Sequence, residues 1–168
     1  MTGRQVLFGV DVVDLARVTR AVDYGGTTYL RHVNARDEPC LHEDPCLAAA
    51  ASVGIKECLV KALGGRPPGF SWHDFVATGA QAPDWVGSLL AAAVPELEST
   101  TDIPLTHRCA YALRGASGRA ARARFDGAGT EDDVRAGRSP VAAARWGWRG
   151  DLVIAIAVLT TIAEGEPR

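Results

Sequence analysis

The chain begins with an apolar run that is interrupted by a single acid. Residues 6–13 read Val-Leu-Phe-Gly-Val-Asp-Val-Val, and this largely β-branched pattern predicts a buried strand that contains Asp11. Asp14 follows, and its short carboxylate can cap a helix that we expect to run to about Val22. This segment therefore predicts a strand followed directly by a capped helix.

A second helix has clear start and stop signals. Pro45 suits the first position of a helix, and Asp44 before it can serve as the cap. The following residues are mostly small or apolar up to Leu63, and Gly64-Gly65 then ends the pattern. At 1.5 Å per residue, the predicted helix over residues 45–63 is about 28 Å long.

The rest of the chain alternates between strand and helix patterns without a regular repeat. We expect a strand over 70–78, a helix over 84–97, a strand over 103–113, a helix over 116–124 and antiparallel strands over 141–148 and 152–162. A glycine-rich, charged stretch at about 126–139 predicts a flexible loop. Because strands and helices do not form successive βαβ units and no linker is visible, the pattern favours one α+β domain over residues 1–168.

Composition narrows the function classes. The 168 residues are 47% hydrophobic and 23% charged, as in ordinary globular domains, and the formal net charge of −2 excludes a strongly basic nucleic-acid binder. No apolar run reaches the roughly 18 residues of a membrane span, and residues 1–5 lead into a strand-like run instead of a signal peptide. We therefore expect a cytoplasmic protein without a membrane partner.

Cysteines and histidines indicate no transition-metal site. The four cysteines form no CxxC pair and complete no zinc-finger spacing with the histidines. His42 lies in a polar segment, where we expect it to be solvated, and His107 lies within a predicted strand. None of the four histidines is expected to ligate a metal.

Two carboxylates are the first candidates for chemistry. Asp11 sits inside an apolar strand, where an unpaired charge is costly to bury, so it either reaches solvent, bonds a helix N-terminus or meets a cation. Glu57 follows a dozen nearly all small or apolar residues of the second helix. Taken alone, Glu57 is better explained as an ordinary solvated helix residue.

The spacing around Glu57 adds a basic partner. Lys61 lies four residues after Glu57 on the same helix face, and Lys56 precedes it. This spacing predicts either a weak surface ion pair or a site that offers a carboxylate to a hard divalent cation and an ammonium to phosphate. The turn at Gly64-Gly65-Arg66 adds backbone N–H groups, which we expect to be free, and a guanidinium.

These segments resemble a known family, the holo-[acyl-carrier-protein] synthase type of 4′-phosphopantetheinyl transferase. The two specific motifs are Gly9-Val10-Asp11-Val12-Val13-Asp14, with Arg17 three residues further on, and Lys56-Glu57-Cys58-x-x-Lys61-Ala62-Leu63-Gly64. Weaker similarity follows in the family's order at Trp72-His73-Asp74-Phe75, Tyr111 to Ala116 and Trp146 to Val158. The resemblance covers nearly the whole chain and implies one small domain of the phosphopantetheinyl transferase fold, with an antiparallel sheet packed against a long central helix.

The resemblance also implies an activity and roles for the candidate residues. Members of this family transfer 4′-phosphopantetheine from coenzyme A to a serine of an acyl or peptidyl carrier protein. Asp11 and Glu57 would then bind Mg²⁺, and Glu57 would take the proton of the serine, directly or through a water. Lys61 would hold a phosphate oxygen and stabilise the leaving group.

Further residues are assigned by the same resemblance. Gly64, Gly65 and Arg66 would line the nucleotide end of coenzyme A. Arg17 and Arg20, one turn apart on the first helix, would dock the acidic recognition helix of the carrier protein. The small members of the family are typically homotrimers, so the resemblance implies a trimer with the site between subunits.

The chain departs from the family in three places, and the missing arginine and histidine favour an alternative function, which the intact Asp11, Glu57 and Lys61 oppose. Ser52 and Val53 stand where the family often has an arginine and an aromatic residue, so Arg31 or Arg66 would have to supply the missing phosphate contact. An apparent insertion occupies about residues 79–102. Trp148, after Gly147, replaces the histidine of a serine-histidine pair and would either stack on the nucleotide or pack in an interface. The alternative is a catalytically altered relative that binds a carrier protein or acyl-coenzyme A without transferring the arm.

Overall fold

A computed structural model describes residues 5–126 and 139–162 of the chain. Its elements are β1 (Leu7–Asp14), α1 (Leu15–Val33), α2 (Pro45–Leu63), a short 3₁₀ turn (Trp72–Asp74), β2 (Phe75–Thr78), α3 (Asp84–Thr101), β3 (His107–Leu113), α4 (Gly115–Asp126), β4 (Ser139–Arg149) and β5 (Leu152–Ile162). The loop predicted at 126–139 lies outside the described residues, except that its two end residues close α4 and open β4. The bounds of α2 are those predicted from its cap and its terminal glycines.

The five strands form one antiparallel sheet in the order β1-β5-β4-β3-β2. The predicted hairpin of β4 and β5 is confirmed, and it turns at Gly150, whose φ of 56° suits glycine. In α2, most residues are buried, and the helix lies along one face of the sheet against β1 and β5. The predicted α+β architecture, with an antiparallel sheet on a long central helix, is therefore confirmed.

The apparent insertion at 79–102 has a structural role that the sequence pattern did not reveal. Helix α3 packs on the face of the sheet that is opposite to α2. Its buried residues Val86, Leu90 and Val94 pack with Ile154 and Ile156 of β5. Strand β5 is therefore covered on both faces, which explains why it is an almost unbroken apolar run.

The first helix is longer than its sequence predicts. We expected it to end near Val22, before the Gly25-Gly26 pair, but α1 continues through a kink to Val33. Gly26 has φ 52° and ψ −135°, a combination that reorients the chain without ending the element. The second half then continues because Val33 is buried against the core.

Two predicted strands are shorter than expected. The strand predicted over 70–78 starts only at Phe75, because Ser71 and Asp74 form a reciprocal capping box around the 3₁₀ turn. The strand predicted over 103–113 starts at His107. Ile103 and Leu105 precede the strand and are buried against α3. They are apolar because they pack in the core, and not because they pair in the sheet.

Candidate active site

A close approach between β1 and α2 positions the candidate site. A Cβ atom on Gly9 would lie 1.9 Å from the carbonyl oxygen of Cys58, so only glycine allows the two backbones to touch there. A Cβ on Gly54 would meet the Val13 side chain at 3.1 Å, so the packing is tight along the whole crossing. This contact brings the acid of the strand next to the C-terminal half of α2.

Asp11 meets a cation, as one of the sequence alternatives proposed, and that cation is Lys61. The Lys61 Nζ donates to Asp11 Oδ1 at 2.6 Å and to the carbonyl oxygen of Val10 at 3.0 Å. The hydrogen bond to Asp11 raises the pKa of Lys61, against a smaller opposing effect of burial. Lys61 therefore stays an ammonium ion beside a carboxylate that is only 16% exposed.

Glu57 joins the same site through a different partner. Arg66 donates from Nη2 to Glu57 Oε1 at 2.7 Å, and its guanidinium also lies over the Trp72 ring, 5.0 Å from the centroid. The charge of Glu57 also contributes to the raised pKa of Lys61. The structure thus brings Asp11, Glu57, Lys61 and Arg66 together. The ion pairs are Asp11 with Lys61 and Glu57 with Arg66, and they replace the predicted surface pair of Glu57 with Lys61 within α2.

The turn after α2 differs from the expectation that its backbone N–H groups are free. Gly64 is left-handed, with φ 85°, and its N–H donates to the carbonyl of Lys61, while the N–H of Gly65 donates to Val60. Both amides therefore close the helix, because its last carbonyls need donors. The expectation of free N–H groups at Gly64 and Gly65 is therefore wrong.

Arg124 is a residue at this turn that the sequence pattern did not single out. It lies in the last turn of α4 and donates from Nη1 to the carbonyl of Leu63 at 3.3 Å. A side chain on Gly64 would contact this guanidinium at 3.2 Å. The C-terminal end of α2 therefore carries three cations, from Lys61, Arg66 and Arg124, and is suited to a polyphosphate.

The carboxylate set fits a magnesium ion that is completed by phosphate. Asp11 and Glu57 offer oxygen donors, which hard cations prefer. Within residues 5–126 and 139–162, no three histidine, cysteine or acidic side chains gather into a metal site. Mg²⁺ is usually bound by one or two carboxylates together with phosphate and water, and it is rarely enclosed by protein ligands alone.

Lys56 does not join the site, although it is next to Glu57. Its side chain is fully buried and donates to the carbonyl of Val33 at 2.7 Å and to Glu38 Oε2 at 2.8 Å. Burial lowers the pKa of Lys56, and the Glu38 carboxylate opposes that effect. Glu38, which sequence reasoning missed, also accepts the amide of Ala77 at 3.0 Å, so it ties α2 to β2.

The departure at Ser52 lies in the interior of the protein. Ser52 is 2% exposed and donates to the side-chain oxygen of Asn34. No phosphate contact arises from this position. Of the two suggested replacements, Arg66 is in the site, whereas Arg31 lines a cleft near the start of α2.

Trp148 lies in a cluster of rings at the other end of α2. Its ring centroid is 5.1 Å from that of His42, 5.3 Å from His107 and 5.7 Å from Trp146. His42 is therefore part of this cluster, contrary to the expectation of a solvated side chain. Because His42 just precedes α2 and Gly64 follows it, about 28 Å of helix separates the two ends. Trp148 is thus remote from Gly64–Arg66 of its own chain.

Arg17 and Arg20 lie exposed on the first half of α1. Asp14 caps this helix by accepting the N–H of Arg17 at 3.1 Å, as its sequence predicts. Burial raises the pKa of Tyr29, and the charge of Arg17 partly opposes that rise, so the two halves of α1 lie near each other. In the described part of the chain, neither arginine has an ion-pair partner.

The fold resembles solved structures of one enzyme class. The holo-[acyl-carrier-protein] synthase of Helicobacter pylori, solved in complex with coenzyme A, superposes with a TM-score of 0.57 over 91% of this chain and 99% of that one, at 17% identity. The holo-ACP synthase of Plasmodium yoelii also gives 0.57, over 95% and 97% of the two chains, at 12% identity. The chain therefore has the fold of the holo-[acyl-carrier-protein] synthases.

Sequence comparison gives the family. No family model matches the chain. It is 38% identical over 92 residues to the holo-[acyl-carrier-protein] synthase of Beutenbergia cavernae, across 51% of this chain and 72% of that protein. It is 35% identical over 69 residues to the Chlorobaculum tepidum synthase, across 39% of this chain and 59% of that protein. The match therefore spans less than two thirds of the length of the Chlorobaculum tepidum synthase. The chain belongs to the holo-[acyl-carrier-protein] synthase family.

Proposed function

We propose that this chain transfers 4′-phosphopantetheine from coenzyme A to a serine of a carrier protein in a Mg²⁺-dependent reaction. The observation that carries the proposal is the convergence of Asp11, Glu57 and Lys61 where β1 crosses α2, beside Arg66. The names of the relatives support the acyl carrier protein as acceptor, and the coenzyme A complex of the Helicobacter pylori enzyme supports the donor.

Asp11 and Glu57 would hold the metal. When bound, Mg²⁺ would neutralise the charge of the coenzyme A pyrophosphate. In the structure, Asp11 holds Lys61 at 2.6 Å and Glu57 holds Arg66 at 2.7 Å. Both cations could therefore reach a phosphate bound beside the two carboxylates by a short side-chain movement. Exchange of these ion pairs for contacts to metal and phosphate would build the loaded site from groups already present.

Residues of this site could assist each step of the transfer. The serine oxygen forms a new bond to the phosphorus that carries pantetheine, and Glu57 takes the hydroxyl proton, directly or through a water. The bond from that phosphorus to adenosine 3′,5′-bisphosphate breaks. Lys61 stabilises the negative charge that develops on the leaving phosphate. Arg66 and Arg124 would hold the nucleotide end.

Mass spectrometry tests this function directly. An apo carrier protein mixed with this protein, coenzyme A and Mg²⁺ should gain the mass of one phosphopantetheine. Coenzyme A binding without a mass gain on any of several apo carriers would contradict transfer. That outcome would support the alternative, a relative that binds without transferring, which is favoured by the buried Ser52 and by Trp148 in its ring cluster.

Carrier docking through α1 is tested by charge reversal. Arg17→Glu combined with Arg20→Glu should raise the KM for the carrier protein by about tenfold or more at low salt, because encounter with an acidic helix depends on complementary charge. The KM for coenzyme A should stay near that of the wild type. Arg119→Glu with Arg122→Glu makes the same charge change on exposed positions of α4 and is the matched control. A higher carrier KM in the α4 variant alone would move the docking surface to α4.

We also propose the homotrimer that the family resemblance implies. The apolar side chains of strand β5 and helix α2 are largely buried within one chain, so these two elements do not supply an exposed apolar surface for assembly. An exposed apolar stripe lies instead on edge strand β1, where Phe8, Val10 and Val12 are 44%, 40% and 55% exposed.

Light scattering tests the assembly. The mass should be about three times 17.7 kDa, and Val10→Asp with Val12→Asp should lower it by placing charges on the stripe. Val→Asp at these two exposed positions leaves the α2 face of β1 unchanged, so folding can be checked by circular dichroism. A wild-type mass near 17.7 kDa at micromolar concentration would contradict an oligomer.

A further inference from the structure

A cleft of about 320 Å³ opens between the second half of α1, the segment that follows it and the start of α2. The side chains of Leu30, Ala48 and Ala49 contribute to a mainly apolar lining. The alanines of α2 leave the space open, because they carry no side chain beyond Cβ. Ala49 lies eight residues before Glu57, about 12 Å along the helix, so the cleft is separate from the candidate active site.

Two arginines lie at this cleft. Arg31 and Arg36 both line it and are both exposed. Across residues 5–126 and 139–162, neither guanidinium takes part in an ion pair. By contrast, Arg66, Arg114 and Arg149 each hold a carboxylate. Two uncompensated guanidiniums beside an apolar cleft favour an anion with an apolar tail.

The size of the cleft limits the length of that tail. If a methylene takes about the 30 Å³ of a water molecule, the volume accommodates roughly ten such groups. Cavities that bind small molecules begin at about 300 Å³, so the cleft is at the lower end of that class. A folded peptide segment is too large for it.

We propose that this cleft binds a medium-chain fatty carboxylate, with the chain against the alanines of α2 and the carboxylate at Arg31 and Arg36. A carboxylate can accept two N–H donors from one guanidinium, so the arginines supply both charge and direction. The apolar lining would gain by removing the chain from water. This binding site is independent of the proposed transfer reaction.

Isothermal titration of the full-length protein with decanoate tests the proposal, without coenzyme A, Mg²⁺ or carrier protein present. Decanoate kept below its micellar concentration should bind with one site per chain. Arg31→Gln combined with Arg36→Gln should weaken binding by about tenfold or more, because charge-assisted hydrogen bonds are lost. Decanol, which has the same chain without the charge, should bind more weakly than decanoate and should be insensitive to this double variant.

Control variants separate the cleft from general effects of charge. Arg119→Gln with Arg122→Gln removes two charges from α4 and should leave decanoate affinity unchanged. Ala48→Leu should abolish binding by filling the cleft, and its fold can be checked by circular dichroism. Absence of decanoate binding, equal affinity for decanol, or unchanged affinity in the Arg31/Arg36 variant would each overturn the proposal. Tighter binding of decanoyl-coenzyme A than of decanoate would assign the chain to a thioester and would also overturn it.

Discussion

Asp11→Asn and Glu57→Gln are each expected to lower the rate of phosphopantetheine transfer by about 100-fold or more. Each substitution keeps the shape of the side chain and removes one of the two negative charges that Asp11 and Glu57 place beside Lys61 and Arg66. Electrostatic groups placed where charge develops usually have effects of this size. Steady-state kinetics with an apo carrier protein give the measurement.

The controls for this prediction use exposed acids of the same type. Asp23→Asn and Glu96→Gln make the same chemical changes on α1 and α3 and should leave the rate within about twofold. Excess chelator should stop the wild-type reaction, and added Mg²⁺ should restore it. If either site variant kept full activity, or if the reaction proceeded in chelator, the assignment of the metal site would be wrong.

Lys56→Met is expected to lower the free energy of unfolding by about 3–5 kcal/mol. The side chains of Lys56 and Glu38 are 0% and 2% exposed, so the substitution leaves a buried carboxylate without its cation. Methionine has a similar length, so loss of the charge and its hydrogen bonds dominates over loss of volume. Urea denaturation with unchanged m-value gives the measurement.

A double-mutant cycle isolates the ion pair. Lys56→Met combined with Glu38→Gln should cost less than the sum of the single substitutions, because the double variant buries no unpaired charge. The matched surface pair is Arg114 with Asp37, both more than half exposed, and Asp37→Asn should leave the urea midpoint almost unchanged. A loss below about 1 kcal/mol in Lys56→Met would show that the Glu38 carboxylate finds another partner or takes up a proton at little cost.

The part of the site that depends on local pattern could be predicted from the sequence. Asp11, Glu57 and Lys61 were identified from an acid in an apolar strand and from spacing on one helix, and the structure brings them together. Their roles in binding metal and phosphate stay predictions. Arg124 carries no such signal, because it reaches Leu63 from 61 residues further along the chain. Glu38 was missed for the same reason, since its partners Lys56 and Ala77 are 18 and 39 residues away.

The same two motifs also show where local reasoning fails. Lys56 and Lys61 look alike in the sequence, but one is buried in a structural ion pair and the other is exposed at the site. Which lysine faces which side depends on the rotation of α2, and that rotation is fixed by Gly9 against Cys58 and by Glu38. Trp148 was expected either to stack on a nucleotide or to pack in an interface, whereas its own chain supplies His42 and His107 as ring partners.

The sequence by itself determined the elements whose ends carry local signals. Helix α2 runs from Pro45 to Leu63 as predicted, because capping by Asp44 and the left-handed Gly64 act within a few residues. Only the tertiary structure decided that α1 continues past Gly26, that α3 covers the second face of the sheet and that Lys56 is buried. Those outcomes depend on contacts between residues distant in sequence, and their free energy exceeds the weak local preferences that a pattern can report.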